Sequence, residues 1–195
     1  MNVETRRMQL RPVDRRDIDD LVGLDADPAV MRFVNGGQAT PRTTVEDWVL
    51  PRALTEFAAG HGGMWVAVDQ RYGAFLGWLW LRAPRHSNRP ELELSYRLRR
   101  EYWGRGLATE AARAALGLAF DEFAAGRVFA STMATHISSR RVMEKLGMRI
   151  CSIHLSGGEP GAAISEVEYE VLRADWHSPA PHRTIVAADA HGLTA

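Results

Sequence analysis

Alternation opens the chain. From Arg6 to Val13, Met8 and Leu10 fall on one side of an extended segment, which predicts a first strand. The spacing then turns helical, with Asp14 as an N-cap ahead of a stripe of Ile18, Leu21, Val22 and Leu24. Asp27-Pro28 opens a second short helix bearing Val30, Met31, Phe33 and Val34, since proline suits a first helical turn, and Asn35-Gly36-Gly37 ends it. A third helix begins at Thr43 or Thr44, passes through Trp48, Leu54 and Phe57, and closes at Gly60.

The pattern next changes to strands. Met64 to Asp69 and Phe75 to Arg82 read as a hairpin about a turn near Gln70 to Gly73. Phe75 to Leu81 is apolar on both sides, which predicts a central place in a sheet. Trp78 and Trp80 then belong to the sheet core, with one end of the strand free to line an acceptor pocket. After a polar loop from Arg85 to Pro90, Glu91 to Leu98 alternates polar residues with Leu92, Leu94 and Tyr96. A helix follows from Leu107 to about Phe123, its Ala108, Ala111, Ala112 and Ala115 small enough for close approach to a sheet.

Val128 to Met133 is a predicted strand, and Ser138 to Leu146 a helix stopped by Gly147. Ile150 to Leu155 and Glu166 to Leu172 close the pattern as strands across a Gly-Gly-Glu-Pro-Gly loop. From Ala174 onward, with Pro179 and Pro181, no period is sustained, so 174–195 reads as a mobile tail to a single domain over 1–173. The order predicts a mixed α/β (α+β) fold. Its centre is a twisted, mixed, mostly antiparallel sheet of about six or seven strands with helices on both faces.

Composition narrows the function classes. A chain of 195 residues suits one buried core, and 24 Lys and Arg balance 24 Asp and Glu. No overall field therefore advertises nucleic acid or an anionic membrane. The single cysteine, Cys151, excludes an internal disulfide and fits a buried free thiol in a reducing compartment. The charged N-terminus lacks a signal-like apolar run, and no stretch approaches the roughly 20 apolar residues of a membrane span. The expectation is a cytoplasmic protein. Its seven histidines show no metal-ligand spacing, so no metal is expected.

The chemistry concentrates where Glu91 to Leu98 runs through Trp103-Gly104-Arg105-Gly106 into the helix at Leu107. First-turn amides and the helix dipole make an anion site, and Gly104 and Gly106 let backbone approach a phosphate. Arg99, Arg100 and Arg105 add local positive charge. By itself this is equally a tight turn with solvated arginines. A dinucleotide motif would need glycine at Thr109, and no Gly-Lys-Ser/Thr of a P-loop occurs.

The segment from Tyr102 to Ala111, Tyr-Trp-Gly-Arg-Gly-Leu-Ala-Thr-Glu-Ala, resembles the acetyl-CoA motif of the GNAT (Gcn5-related) N-acetyltransferases. It is most similar to the branch holding the ribosomal-protein N-terminal acetyltransferases. Asp27 to Val34, Glu93-Leu94-Ser95-Tyr96 and Ser138 to Met148 resemble further segments of that branch in the same order, so the likeness spans roughly Met8 to Arg173. Three positions depart from the pattern: Trp103 where Gln or Arg is frequent, His136 in place of an asparagine, and Ser95 in place of a glycine.

The resemblance implies direct transfer of acetyl from acetyl-CoA to an amine, of a small molecule or a protein N-terminus. It places the cofactor against Tyr96, Leu98, Arg99, Arg100 and the loop Trp103, Gly104, Arg105 and Gly106. Leu107, Ala108 and Thr109 continue that surface, with His136, Ser139 and Arg140 on the late helix. Glu93 is the implied base for the amine, with Glu91 on the same side by alternation as a backup; a salt-bridged strand glutamate is the alternative. Ser139 is implied to serve the departing thiolate, or else only to cap a helix. An oxyanion donor is expected among the amides of Tyr96 to Leu98.

Arg141, Lys145 and Arg149, with Arg140, form a basic helix suited to the coenzyme's 3′-phosphate or to solvent. The acceptor pocket is expected between Ala26 to Val45 and the loop from Leu155 to Glu166. A non-catalytic acyl-CoA-binding module of the same fold is the alternative function, and a homodimer is left open.

Overall fold

The computed structural model describes residues 1–60, 62–84, 87, 89–155, 164–177 and 185–186. Its strands are β1 (Asn2–Glu4), β2 (Met8–Pro12), β3 (Gly63–Asp69), β4 (Phe75–Arg82), β5 (Glu91–Leu98), β6 (Arg127–Met133), β7 (Arg149–Leu155), β8 (Ile164–Leu172) and β9 (Ile185–Val186). They form one sheet in the order β7-β8-β6-β5-β4-β3-β2-β1-β9. Among the described residues only β5 and β6 pair in parallel. The helices are α1 (Ile18–Asp25), α2 (Pro28–Asn35), α3 (Arg42–Thr44), α4 (Leu50–Ala58), α5 (Leu107–Asp121) and α6 (Ile137–Lys145).

Alternation in the central strands sends two sets of apolar side chains to opposite faces. Met64, Val66, Trp78 and Trp80 meet Leu21 and Leu24 of α1 and Leu50 and Ala53 of α4. On the other face Trp65, Leu79 and Leu81 pack with Ala111, Ala112 and Ala115 of α5, and Met143 of α6 joins the same core. Small residues on α5 bring its axis close to the sheet, as their spacing predicts. Gly77 serves a similar purpose between strands: at φ +150°, any Cβ there would meet the Arg97 carbonyl oxygen at 2.1 Å.

The parallel pair is short, and that shortness makes the site. Glu91, Leu92 and Glu93 pair with Arg127, Val128 and Phe129, and the register ends there. Beyond it β5 stays paired to β4 as far as Leu98, while β6 stays paired to β8 as far as Met133. The two strands therefore part, and among the described residues the β6-facing edge of β5 beyond Glu93 has no strand partner. Main-chain groups alternate in direction along a strand, so every second residue of this stretch turns its amide into the gap.

Three details lie beyond what the sequence pattern gives. The sheet is mixed and mostly antiparallel as expected, and short edge strands bring the number to nine: the chain starts with a three-residue strand, reverses at Thr5 to Arg7, and is joined at its edge by β9. Such short strands carry no readable period. The third helix begins at Arg42, and a π turn over Val45–Val49 precedes α4. Pro51 explains that turn, since proline gives no N–H and crowds the carbonyl four residues back. At the junction of 1–173 and 174–195, Arg173–Asp175 form a helical turn, and further on Ile185 and Val186 pair with Val3 and Asn2. The rest of 178–195, and the Gly-rich loop at 156–163, lie outside the described residues.

Candidate active site

The turn from β5 into α5 is held from both sides. The Trp103 indole N–H donates to the Leu98 carbonyl at 2.8 Å, tying the loop to the end of β5. Arg7 donates to the Arg105 carbonyl at 2.8 Å and through Nε to Glu110 at 2.7 Å. Glu110, in the first turn of α5, also accepts from the Thr5 hydroxyl and the Arg7 amide, each at 2.8 Å. Burial opposes ionisation there, yet the bonds from Thr5 and Arg7 prevail and hold the carboxyl below the usual range. Glu110 and Arg7 were absent from the sequence-derived site; only the quoted motif contained Glu110, with nothing to say what it bonds.

At the head of α5, Gly106 is the N-cap at φ +74°, and no side chain caps the helix. The first bond to that end is Glu110 N–H to the Gly106 carbonyl at 3.1 Å. The amides of Leu107, Ala108 and Thr109 thus keep the unmet donors of a helix start, beside the positive end of the dipole. They line a cavity of about 410 Å³ with Trp103, Gly104 and Gly106. Arg141 and Lys145 of α6 line its opposite wall. Unsatisfied amides at a glycine turn facing two cations fit a phosphate-bearing ligand.

A second cavity, of about 730 Å³, lies across the parted strands. Phe33, Val34 and Val45 bound it on one side and Ser165 and Glu166 on another, within the region expected for an acceptor. Trp78 and Trp80 face it. The Arg97 guanidinium sits 4.9 Å over Trp78, and that of Arg82 sits 5.6 Å over Trp80. Both cations are satisfied: Arg97 donates to both Asp25 oxygens at 2.7 Å, and Arg82 forks onto Glu93 at 2.6 and 2.9 Å.

Five residues line both cavities: Val34, Tyr96, Arg97, His136 and Ser139. Here the Tyr96 hydroxyl lies 3.0 Å from Ser139 Oγ and donates to the Ser139 carbonyl at 3.2 Å. Burial pushes the Tyr96 phenol up to about 12 against the opposing bond from Ser139, so it remains a proton-bearing donor. The His136 ring stacks on Phe33 with centroids 4.1 Å apart, and its Nδ1 lies 3.2 Å from the Thr132 hydroxyl.

The other sequence-derived residues divide. Tyr96, Leu98, Trp103, Gly104, Gly106, Leu107, Ala108, Thr109, His136 and Ser139 come together around the smaller cavity. Arg99, Arg100, Arg105 and Arg140 are not on its wall. Arg99 turns to Asp20 at 2.7 Å and over Phe75, while Arg105 lies over Tyr102 and Arg100 is exposed. Arg140 donates to the Tyr169 hydroxyl and the Ala134 carbonyl, each at 3.1 Å. Arg149 pairs with Asp175.

Glu93 lines the larger cavity as an ion-paired carboxylate, whereas Glu91 lines neither, being bonded to Arg127 at 2.8 Å. Cys151 is exposed rather than buried, because the edge strand β7 is open on both faces. Local desolvation and the nearby Glu168 carboxylate push its thiol up to about 11, which disfavours the reactive thiolate.

This frame has known counterparts. The chain belongs to the GNAT acetyltransferase family, whose acetyltransferase (GNAT) domain model matches residues 7–149. It is 33% identical over 175 residues to the uncharacterized protein YkkB of Bacillus subtilis, covering 87% of this chain and 99% of that one. It is 29% identical over 184 residues to the FsC-acetyl coenzyme A-N(2)-transacetylase of Aspergillus fumigatus, covering 89% and 77%. Among solved structures, the ribosomal L7/L12 alpha-N-protein acetyltransferase RimL in complex with coenzyme A superposes with a TM-score of 0.74. That match is 14% identical and covers 88% of this chain and 98% of RimL, a likeness of fold. Among the described residues no helix is long and apolar enough to cross a membrane.

Proposed function

We propose that the protein transfers acetyl from acetyl-CoA directly to a primary amine, with the smaller cavity holding the coenzyme and the larger the acceptor. One observation carries this reading. The uncapped start of α5 opens on a cavity that shares a wall with a second one, and that wall bears the hydroxyls of Tyr96 and Ser139. Amides of Leu107, Ala108 and Thr109 would bind the diphosphate, and Arg141 or Lys145 a further phosphate. Open amides on β5 in the Tyr96 to Leu98 stretch suit the oxyanion of a tetrahedral intermediate. Tyr96 and Ser139 stand where a departing sulfur needs a hydrogen-bond donor, and Glu93 holds Arg82 in the acceptor wall.

The relatives support amine acetylation as a class, since two of them are named for transfer to an amino nitrogen. The acceptor of this chain follows from its own cavity: an amine with an apolar part suited to Trp78, Trp80 and Phe33. Calorimetry with coenzyme A and a thiol-release assay across an amine panel test the proposal together. Binding with thiol release is expected. Saturable binding with no release by any amine would reduce the protein to a binding module, and no binding at all would end the assignment.

A further inference from the structure

We propose that the imidazole of His136 accepts the proton from the acceptor amine, with Thr132 as the residue that positions it. The inference rests on reading the two cavities as coenzyme and acceptor sites. The acceptor arrives as an ammonium at neutral pH, since N-terminal amines titrate near about 8 and lysine near about 10. A base must therefore stand where the nitrogen meets the thioester. Of the five residues common to both cavities, only His136 is a base at that pH: Val34 is inert, Arg97 is a cation, and Tyr96 and Ser139 bear hydroxyls.

The ring is held for this role. Phe33 stacks on it nearly parallel, at 14° between planes, and Thr132 meets Nδ1 from β6. With the proton on Nδ1 donated to the Thr132 hydroxyl oxygen, Nε2 presents its lone pair. No other described group bonds to the ring. Burial lowers the imidazole's pKa from its ordinary value, so the ring is neutral and able to accept at pH 7.

Most of the surrounding charges are otherwise engaged. On β5, Arg97 is turned to Asp25, and Glu93 lies in the Arg82 fork. On α2, Arg32 lies 5.3 Å over the Phe33 ring, and on α6, Arg140 is bonded to Tyr169. Glu166 of β8 is exposed at the larger cavity. The step balances as follows. Nε2 takes one proton from the ammonium, the freed lone pair forms the C–N bond at the thioester carbon, and the C–S bond then breaks. A second N–H proton passes to the leaving thiolate through the Ser139 hydroxyl, and the imidazolium returns its proton to solvent.

The test compares pH profiles of kcat/KM for the wild type, His136→Asn, Thr132→Val and Glu93→Gln, with coenzyme A affinity measured for each. His136→Asn is expected to keep that affinity within about twofold and to lose about 10²-fold in kcat/KM at pH 7, together with the acid limb. Thr132→Val should shift the limb, and Glu93→Gln should retain it. Nitrogen NMR of the wild-type ring should find it neutral at pH 7 with the proton on Nδ1. A limb that survives His136→Asn, or vanishes in Glu93→Gln, overturns the inference alone, as does a ring protonated on Nε2. A wild type that binds coenzyme A yet acetylates no amine overturns the parent reading and this one with it.

Discussion

At the closed end of the β5–β6 pair, Arg127 donates to Glu91 at 2.8 Å, Glu168 at 2.6 Å and Glu170 at 2.7 Å, so one cation joins β5, β6 and β8. At the open end of the same strands, the β5 groups that turn toward β6 beyond Glu93 have no strand partner among the described residues, and the start of α5 has no side-chain cap. The contrast separates two uses of polarity. Groups saturated by one another hold the sheet, and groups left unsaturated are available to a ligand. A donor already bonded in the folded chain gains little from a substrate, whereas an open one in a partly dry cleft gains a full bond.

The comparison predicts that changes at the open end fall on binding and catalysis, and those at the closed end on stability. The largest effect is expected from Gly106→Val. A β-branched residue at φ +74° is strained by more than the roughly 1–2 kcal/mol of an ordinary left-handed residue, and its methyls would crowd the anion's approach. Coenzyme A affinity should fall by at least about 10²-fold, or about 2.7 kcal/mol. Calorimetry reads it; an unchanged Kd would mean the phosphates bind elsewhere.

Next is Arg127→Met, which strands Glu91, itself only 9% exposed, and loosens two more carboxylates. Partial exposure of the Arg127 side chain discounts the full penalty of an unpaired charge, leaving about 2 kcal/mol and a Tm lower by about 4–8 °C. Coenzyme A affinity should not change. The same end governs acid stability. The Ser87 hydroxyl, with Arg127, holds the Glu91 carboxyl below its ordinary value against the cost of burial. A depressed folded pKa contributes stability above the unfolded value, and that contribution is lost as pH falls through the folded one. Denaturant midpoints followed downward from pH 6 should decline less steeply in Arg127→Met than in the wild type.

Third comes Tyr96→Phe, at the boundary between the two ends' logic. The phenol is buried and bonded to Ser139, so removing it frees that hydroxyl without opening a void. On the proposed mechanism about tenfold in kcat is expected with little change in KM, because a donor to the leaving sulfur acts mainly in the transition state. A loss confined to KM would assign Tyr96 to ground-state binding instead.

Much of this was legible in the chain. The glycine turn, the small face of α5 and the alternation of β3 to β5 depend on near neighbours, and sequence records near neighbours well. Thus Gly104, Gly106, Leu107, Ala108, Thr109 and Ser139, grouped by the sequence pattern, line one cavity. What was not legible depends on partners set by tertiary register. Asp20 claims Arg99, Asp25 claims Arg97, and Thr5 and Arg7 claim Glu110, across separations of 72 to 105 residues. Cys151 was misread because only the sheet order makes β7 an edge strand. His136 showed itself as a departure from a family pattern, but its place between two cavities needed the fold.

Arg99 gives the smallest expected effect and the sharpest use of the comparison. By position it stands with Arg100 and Arg105 as a phosphate ligand, one residue beyond the end of β5. In the fold its guanidinium donates to Asp20 and lies 5.2 Å over the Phe75 ring, on the face carrying α1 rather than α5. Exposed pairs of this kind contribute about 0–1 kcal/mol, so Arg99→Ala should leave the protein nearly as stable. Coenzyme A affinity should change by less than about twofold. Arg141→Ala, on the cavity wall, should weaken binding several-fold and reduce its dependence on salt, as loss of a cation facing a phosphate must. The reverse ranking, with Arg99 carrying the larger and more salt-sensitive loss, would mean that the loop reorganises on binding and that the partition between saturated and open groups fails at this turn.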